Sequence, residues 1–142
     1  MEKLTVLTNR YKESNEGFLR LLEETRVHPD KKYLLTSFRQ LLIDQWYINN
    51  DKKSSYVDSV LFYINKVSDP EEIGFAYFDL GVYYGNFRDV STAHLYYYKA
   101  IPYLEQSPAD RHLLAQIYYN LSAAYNEIND YDNLGKMVEK LF

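Results

Sequence analysis

Apolar residues recur at intervals of three and four positions along most of the chain, the spacing that places them on one face of an α-helix. The pattern is clear in Leu34, Leu35, Phe38, Leu41 and Leu42. No segment alternates strictly between apolar and polar residues, as a half-buried β-strand would. The sequence therefore predicts an all-α fold.

The breaks in this pattern divide the chain into seven predicted helices. They cover residues 3–26, 30–49, 53–67, 70–86, 89–105, 109–128 and 130–142. The breaks at Asn49-Asn50-Asp51, Gly85-Asn86 and Asn129-Asp130 are short and rich in turn-forming residues, which is typical of antiparallel helix pairs. Pro102 lies inside the fifth helix and should kink or end it, because proline has no backbone N–H to donate.

Prolines mark several predicted helix starts. Asp69 is placed to cap the helix that begins at Pro70, and Glu72 stands where a capping box needs an acidic residue. Ser107 is placed to cap the helix after Pro108 in the same way, and His28 precedes Pro29 in a weaker version.

Residues from position 74 onward repeat at an offset of 41. The offset pairs Tyr77 with Tyr118, Leu80 with Leu121, Gly81 with Ser122 and Tyr84 with Tyr125. With Ala93, Tyr97 and Ala100, the first copy resembles the tetratricopeptide repeat (TPR), a helix hairpin with aromatic and small residues at these positions. The second copy is degenerate, with Leu134, Val138 and Leu141 at the last three positions. The resemblance implies antiparallel hairpins stacked as a short TPR-like right-handed superhelix.

A single domain is predicted over residues 1–142. It comprises an N-terminal helical bundle or cap over 1–69, a TPR-like repeat over 70–107 and a degenerate repeat over 108–142. The last residues, Leu141 and Phe142, are apolar and have no polar capping helix behind them. We therefore expect these two residues to form an oligomer contact, with a homodimer built through the C-terminal helix.

The charge balance narrows the classes of partner. There are 16 Lys and Arg residues against 20 Asp and Glu residues, a net charge of −4, and this disfavours nucleic acid. No apolar run approaches the roughly 18 residues of a membrane span, and the N-terminus lacks the apolar core of a signal peptide. We expect no membrane partner and a cytoplasmic location, which the absence of cysteine also suits.

Catalytic motifs are not apparent in the sequence. His28, His94 and His112 are far apart and have no second ligand at metal-binding spacing. Leu134 stands where a calcium loop beginning at Asp130 would need an oxygen ligand. We therefore predict a non-enzymatic protein without a metal or cofactor.

The resemblance to the TPR also predicts where a partner binds, because the first helices of successive hairpins line a concave groove. The corresponding residues are Phe75, Phe78, Asp79, Val82, Gly85, Asn86, Gln116, Tyr119, Asn120, Ala123, Asn126 and Glu127. Co-chaperone repeats that hold a C-terminal carboxylate have Lys and Asn where this chain has Phe78 and Val82. Aromatic and amide side chains suit an extended protein or peptide segment instead. The alternative that Asn120 and Asn126 are merely solvated stays open.

The chain also resembles the N-terminal part of the Rap-type regulators of Gram-positive bacteria, which are response-regulator aspartate phosphatases and peptide-pheromone sensors. Residues 33–44 in the second helix, 75–85 and 115–125 carry this resemblance. It implies that Gln40, which directly follows Phe38 and Arg39 and lies one residue earlier than the family's glutamine, is a candidate catalytic residue.

Three functions follow as hypotheses. The first is a regulatory module that binds a protein or peptide. The second is a Rap-like phosphatase co-factor in which Gln40 or Gln45 positions a water on a phosphorylated response regulator. The third is a structural homo-oligomeric scaffold.

Overall fold

The computed structural model describes residues 31–48 and 55–141, together with the single positions Glu16 and Arg20. All regular secondary structure in this part of the chain is helical. The helices are α1 (Lys32–Ile48), α2 (Ser55–Ile64), α3 (Pro70–Asn86), α4 (Val90–Leu104), α5 (Arg111–Glu127) and α6 (Tyr131–Leu141), with a 3₁₀ turn over Pro108–Asp110. Apart from Glu16 and Arg20, which are helical, the predicted helix over 3–26 lies outside the described residues. The helix start at His28, the break at Asn49-Asn50-Asp51 and the contact residue Phe142 also lie outside them.

The observed boundaries agree with the predicted ones to within three residues for α1 to α6. Two details differ. α4 continues through Pro102 to Leu104, so Pro102 stands within the last turn and does not itself end the helix. α5 begins at Arg111 because the residues after Ser107 form a separate 3₁₀ turn.

The start of α3 is capped as predicted by Asp69, whose Oδ1 accepts a hydrogen bond from the backbone N–H of Glu71 at 3.1 Å. Glu72 was expected to complete a capping box, but its carboxylate instead accepts hydrogen bonds from Arg39 and Thr36 of α1. These long-range contacts join α3 to α1.

The prediction for Ser107 is wrong. Its hydroxyl makes no capping bond to the turn that follows and instead donates to Glu71 Oε2 at 3.2 Å. The hydroxyl therefore connects the segment before α5 to the start of α3, and this tertiary contact competes with local capping.

Two buried clusters meet on α3. The first cluster joins α1, α2 and α3 through Leu35, Leu42, Val60, Ile64, Ala76 and Leu80. The second joins α4 and α5 through Ala100, Leu104, Ile117 and Leu121, against partly buried residues of α3. α3 therefore lies at the centre of the described structure, with α1 and α5 on either side of it.

α3 and α4 run in opposite directions and pack closely. Leu104, at the end of α4, lies beside Gly74 near the start of α3, and the Tyr97 ring lies against Gly81. A three-residue turn connects the two helices and ends at Asp89, whose Oδ1 accepts from the backbone N–H of Thr92. The small residue at position 81 therefore allows α4 to approach the α3 backbone.

Candidate functional site

A concave surface runs along α3, between α1 on one side and α5 on the other. We call it the α3 groove and define it by Phe75, Phe78, Asp79, Val82 and Asn86 of α3 with the residues that face them. It consists of three adjoining cavities that share lining residues: Phe78 and Asp79 belong to two of them, and Val82 and Asn86 to another two. The shared residues make the groove continuous.

The largest cavity, the amide cavity, has a volume of about 350 Å³ and lies between α3, α4 and α5. Its polar lining comes mainly from the side-chain amides of Asn86, Gln116 and Asn120. Asn120 Nδ2 donates a hydrogen bond to Tyr97 Oη at 3.2 Å, which fixes the orientation of that amide. The amides of Asn86 and Gln116 line the cavity and form no hydrogen bond with any other described residue, so they are available to a ligand.

Two aromatic side chains set the electrostatics of the amide cavity. Burial raises the pKa of the Tyr97 hydroxyl, and the hydrogen bond from Asn120 opposes this rise only in part. Burial also lowers the pKa of His94, whose ring lies 5.5 Å from that of Tyr125. Both shifts favour neutral side chains, so the cavity offers hydrogen-bonding groups without a fixed charge.

The middle of the groove, the Ile43 cavity, is mainly apolar and has a volume of about 190 Å³. Leu42 and Ile43 of α1 face Phe78 and Val82 of α3 across it. Ile43 retains 36% of its exposure, although the neighbouring Leu42 is fully buried. An apolar group placed in this cavity would be shielded from water.

An ion-pair cluster lies beside the middle of the groove. Asp79 Oδ2 accepts from Arg39 Nε at 2.7 Å, and Arg39 Nη1 lies 3.3 Å from Glu72 Oε2. The guanidinium also lies 5.2 Å from the centroid of the Phe75 ring. Burial raises the pKa of the Asp79 carboxyl, while the Arg39 charge acts against that rise. Asp79 is thus held by α1.

The third cavity, the Asp110 cavity, has a volume of about 230 Å³ and lies where α5 begins. It is lined by Arg39, Phe75, Phe78, Asp79, Asp110, His112 and Leu113. Asp110 is 5% exposed, and its Oδ2 has no hydrogen-bond partner among the described residues. No local sequence pattern indicates this carboxylate, because its burial depends on how α5 packs beside α1 and α3.

Nine of the predicted groove residues lie together in the groove. They are Phe75, Phe78, Asp79, Val82, Gly85, Asn86, Gln116, Asn120 and Ala123. Tyr119, Asn126 and Glu127 lie outside it; Tyr119 is 66% exposed, and Asn126 and Glu127 are exposed near the end of α5. Arg39 was missed as a groove residue, because its partner Asp79 is 40 positions away.

The remaining candidate residues lie elsewhere. Gln40 does not line the groove, and its Nε2 donates to Asp44 Oδ1 at 3.1 Å. Gln45 also lies on α1 and is half-buried, as is Leu141 at the end of α6. Across residues 31–48 and 55–141, no group of three or more His, Asp or Glu side chains is arranged to hold a metal ion. No helix in the same ranges has the length and apolar character needed to cross a membrane.

Comparisons with protein-family models, curated proteins and solved structures found no match to this chain.

Proposed function

We propose that this protein is a non-enzymatic binding module whose α3 groove takes an extended protein or peptide segment in a regulatory role. The observation that carries the proposal is that the groove unites the two unengaged amides of Asn86 and Gln116 with an apolar surface at Ile43 and Phe78. Amides pair with a peptide backbone, and apolar cavities select side chains.

The size of the groove suits this ligand. From Phe75 to Asn86 the axis of α3 rises by roughly 16 Å, at about 1.5 Å per residue. An extended segment advances about 3.3 Å per residue, so about five residues would span the groove. Alternate side chains of such a segment point in opposite directions, toward the groove and toward solvent.

We also propose that the described helices form a TPR-like right-handed stack of hairpins, with a cytoplasmic location. This architecture is supported by the close packing of α4 on Gly81 and by two turns of the same geometry between α3 and α4 and between α5 and α6. A stack of this kind leaves the first helix of each hairpin on the concave side. The proposed groove lies on that side.

The Rap-like phosphatase co-factor has less support as a function. Gln40 is engaged with Asp44 on its own helix and does not line the groove. A role for Gln40 would require its side chain to leave this hydrogen bond on binding a response regulator.

A test begins with selection of binding peptides from a random library displayed on phage, followed by calorimetry of the selected peptides. We expect the double variant Asn86→Ala/Gln116→Ala to lose affinity by about 1–3 kcal/mol, because two peptide backbone groups would lose their partners. The matched control is Asn126→Ala/Gln106→Ala, which removes one Asn and one Gln from exposed positions outside the groove. The control should bind as the unmodified protein does.

If Asn86→Ala/Gln116→Ala binds the selected peptides as tightly as the control variant does, the peptide binds outside the groove. Failure to select any peptide would overturn the peptide-binding proposal and leave the scaffold as the better explanation.

We further propose that a second copy of the chain covers α6. Leu134, Met137, Val138 and Leu141 form one stripe on this helix; Met137 packs in part against the second cluster, and none of the four is fully buried. Val138 is 38% exposed. Sedimentation equilibrium should show a dimer that Val138→Asp converts to monomer, and a monomer at every concentration would contradict this proposal.

A further inference from the structure

We propose that the Asp110 cavity is a subsite for an alkylguanidinium or alkylammonium group, the head group of an arginine or lysine side chain. The source of this group, a residue of the bound segment, rests on the proposed function. The chemistry of the subsite is independent of the proposed function, because it follows from the charged groups and aromatic rings around the cavity.

The first argument is the carboxylate itself. Asp110 is 5% exposed, and its Oδ2 has no hydrogen-bond partner among residues 31–48 and 55–141. A buried carboxylate oxygen without a donor is costly, and such groups are rare in proteins. The side chain is not retained for helix capping, since Asp110 makes no side-chain bond to the start of α5. Partial positive charge at the α5 N-terminus offsets some of the carboxylate's charge but provides Oδ2 with no donor.

The second argument is the charge balance of the cavity. Arg39 is the cationic side chain in its lining, and this guanidinium is already engaged by Asp79 and Glu72. Two carboxylates around one guanidinium, with Asp110 in addition, leave the region net negative. An anionic ligand would meet this excess charge, whereas a cation would neutralise it and donate to Oδ2.

The third argument is the aromatic lining. Phe75 and Phe78 both line the cavity, and the chain's own Arg39 lies over the Phe75 ring at 5.2 Å. The site therefore already accommodates one guanidinium against an aromatic face and beside carboxylates. Aromatic rings attract organic cations but offer little to a hydrated metal ion. The cavity volume of about 230 Å³ is far more than a single water requires.

The test uses Nα-acetyl-arginine N-methylamide as the ligand, with the corresponding citrulline derivative as its neutral counterpart of nearly equal shape. The side-chain NMR signals of His112, which lines the cavity, report binding. We expect saturable shifts with the arginine and lysine derivatives and none with citrulline. Equal shifts with the citrulline derivative would overturn the proposal.

Asp110→Asn keeps the shape of the side chain and removes its charge. We expect this variant, and Asp110→Ser, to lose the response to the arginine derivative while melting at or above the temperature of the unmodified protein. Asp132→Asn removes one exposed acidic charge from the first turn of α6 and should retain the response. An undiminished response in both Asp110 variants would overturn the proposal.

The same measurement separates this inference from the proposed function. Asn86→Ala/Gln116→Ala should still bind the arginine derivative, because neither residue lines the Asp110 cavity. If peptides are selected from the library, we expect Arg or Lys at one fixed position, and selection on Asp110→Asn should lose that preference. Binding of the arginine derivative without any selected peptide would uphold the subsite and refute the peptide groove. Selected peptides without a basic position would uphold the peptide groove and refute the subsite.

Discussion

Arg88 and Asn129 lie 41 positions apart and adopt the same left-handed backbone conformation, with φ of 60° and 59°. Each is followed by an aspartate whose backbone N–H donates to a tyrosine carbonyl five residues earlier, at 3.0 Å and 2.9 Å. The acceptors are Tyr84 and Tyr125. This is the hydrogen-bond pattern of a Schellman motif, and the side chains of the same aspartates, Asp89 and Asp130, cap the helices that follow. The offset found in the sequence therefore recurs in the local geometry of the two turns.

The left-handed conformation predicts that glycine stabilises the turn at position 88 more than the turn at position 129. A left-handed conformation costs an ordinary residue roughly 1–2 kcal/mol, and asparagine tolerates it better than arginine does. Arg88→Gly should therefore increase the free energy of unfolding by about 0.5–1 kcal/mol, after the entropy cost of glycine. Asn129→Gly should change it less. Urea denaturation of both variants provides the comparison, and a loss of stability in Arg88→Gly would contradict the assignment.

The close approach of α3 and α4 makes a second prediction. A Cβ added at Gly81 would lie 2.5 Å from Cδ1 and Cε1 of the Tyr97 ring, which the hydrogen bond from Asn120 holds in place. Gly81→Ala should therefore lower the free energy of unfolding by about 1–3 kcal/mol, as overpacked cores do.

Gly85 provides the control for this prediction. Its added Cβ would lie 3.8 Å from Tyr97 Oη and 3.9 Å from Ala93 Cβ, which are ordinary contact distances. Gly85→Ala should gain about 0.5–1 kcal/mol from helix propensity alone. Thermal and urea unfolding should rank the three proteins in the order Gly85→Ala, unmodified, Gly81→Ala, and the reverse order of the variants would contradict the described packing.

Local patterns in the sequence predicted the helices well, because spacing, capping and turn residues act over a few positions. The Asp69 cap and the start of α3 at Pro70 are examples. Side chains with a choice between a local and a distant partner were not predictable in this way. Ser107 and Glu72 both take distant partners, and neither partner can be identified before the packing of the helices is known.

On α5, the angular position of a side chain around the helix axis decides which of the predicted residues line the groove. At about 100° per residue, Asn120 and Ala123 lie within roughly 40° of Gln116, and all three line the amide cavity. Tyr119 and Asn126 point roughly 60–80° to one side, outside the groove. Repeat positions alone do not define the width of the lining, since this depends on how closely α4 and α5 pack.

The ion pair between Arg39 and Asp79 makes a third prediction. Their side chains are 19% and 12% exposed, so removal of the guanidinium leaves a mostly buried carboxylate without its closest charge partner. Arg39→Met should lower the free energy of unfolding by about 2–4 kcal/mol. Adding Asp79→Asn to Arg39→Met should recover part of this loss, because the uncompensated charge is removed. A double-mutant cycle measured by urea denaturation tests this, and strict additivity of the two changes would contradict a direct interaction.

His94 makes the final prediction, on the dependence of stability on pH. Burial lowers the pKa of His94 in the folded protein, whereas in the unfolded chain its pKa is about 6.5. Below that value the unfolded state binds more protons than the folded state, so the free energy of unfolding falls as the pH is lowered toward the folded pKa. Above about 6.5 the imidazole is neutral in both states and contributes no slope.

Substitution isolates this contribution from those of other groups. His94→Gln should remove the acid-side fall that His94 causes, so the difference in stability between the variant and the unmodified protein should change in favour of the variant as the pH decreases below about 6.5. Asp79, whose pKa is raised by burial, titrates in both proteins and cancels in the difference. His112→Gln is the matched control at an exposed position. Urea denaturation at a series of pH values measures both differences, and a constant difference for His94→Gln would mean that its imidazole is no harder to protonate in the folded protein than in the unfolded chain.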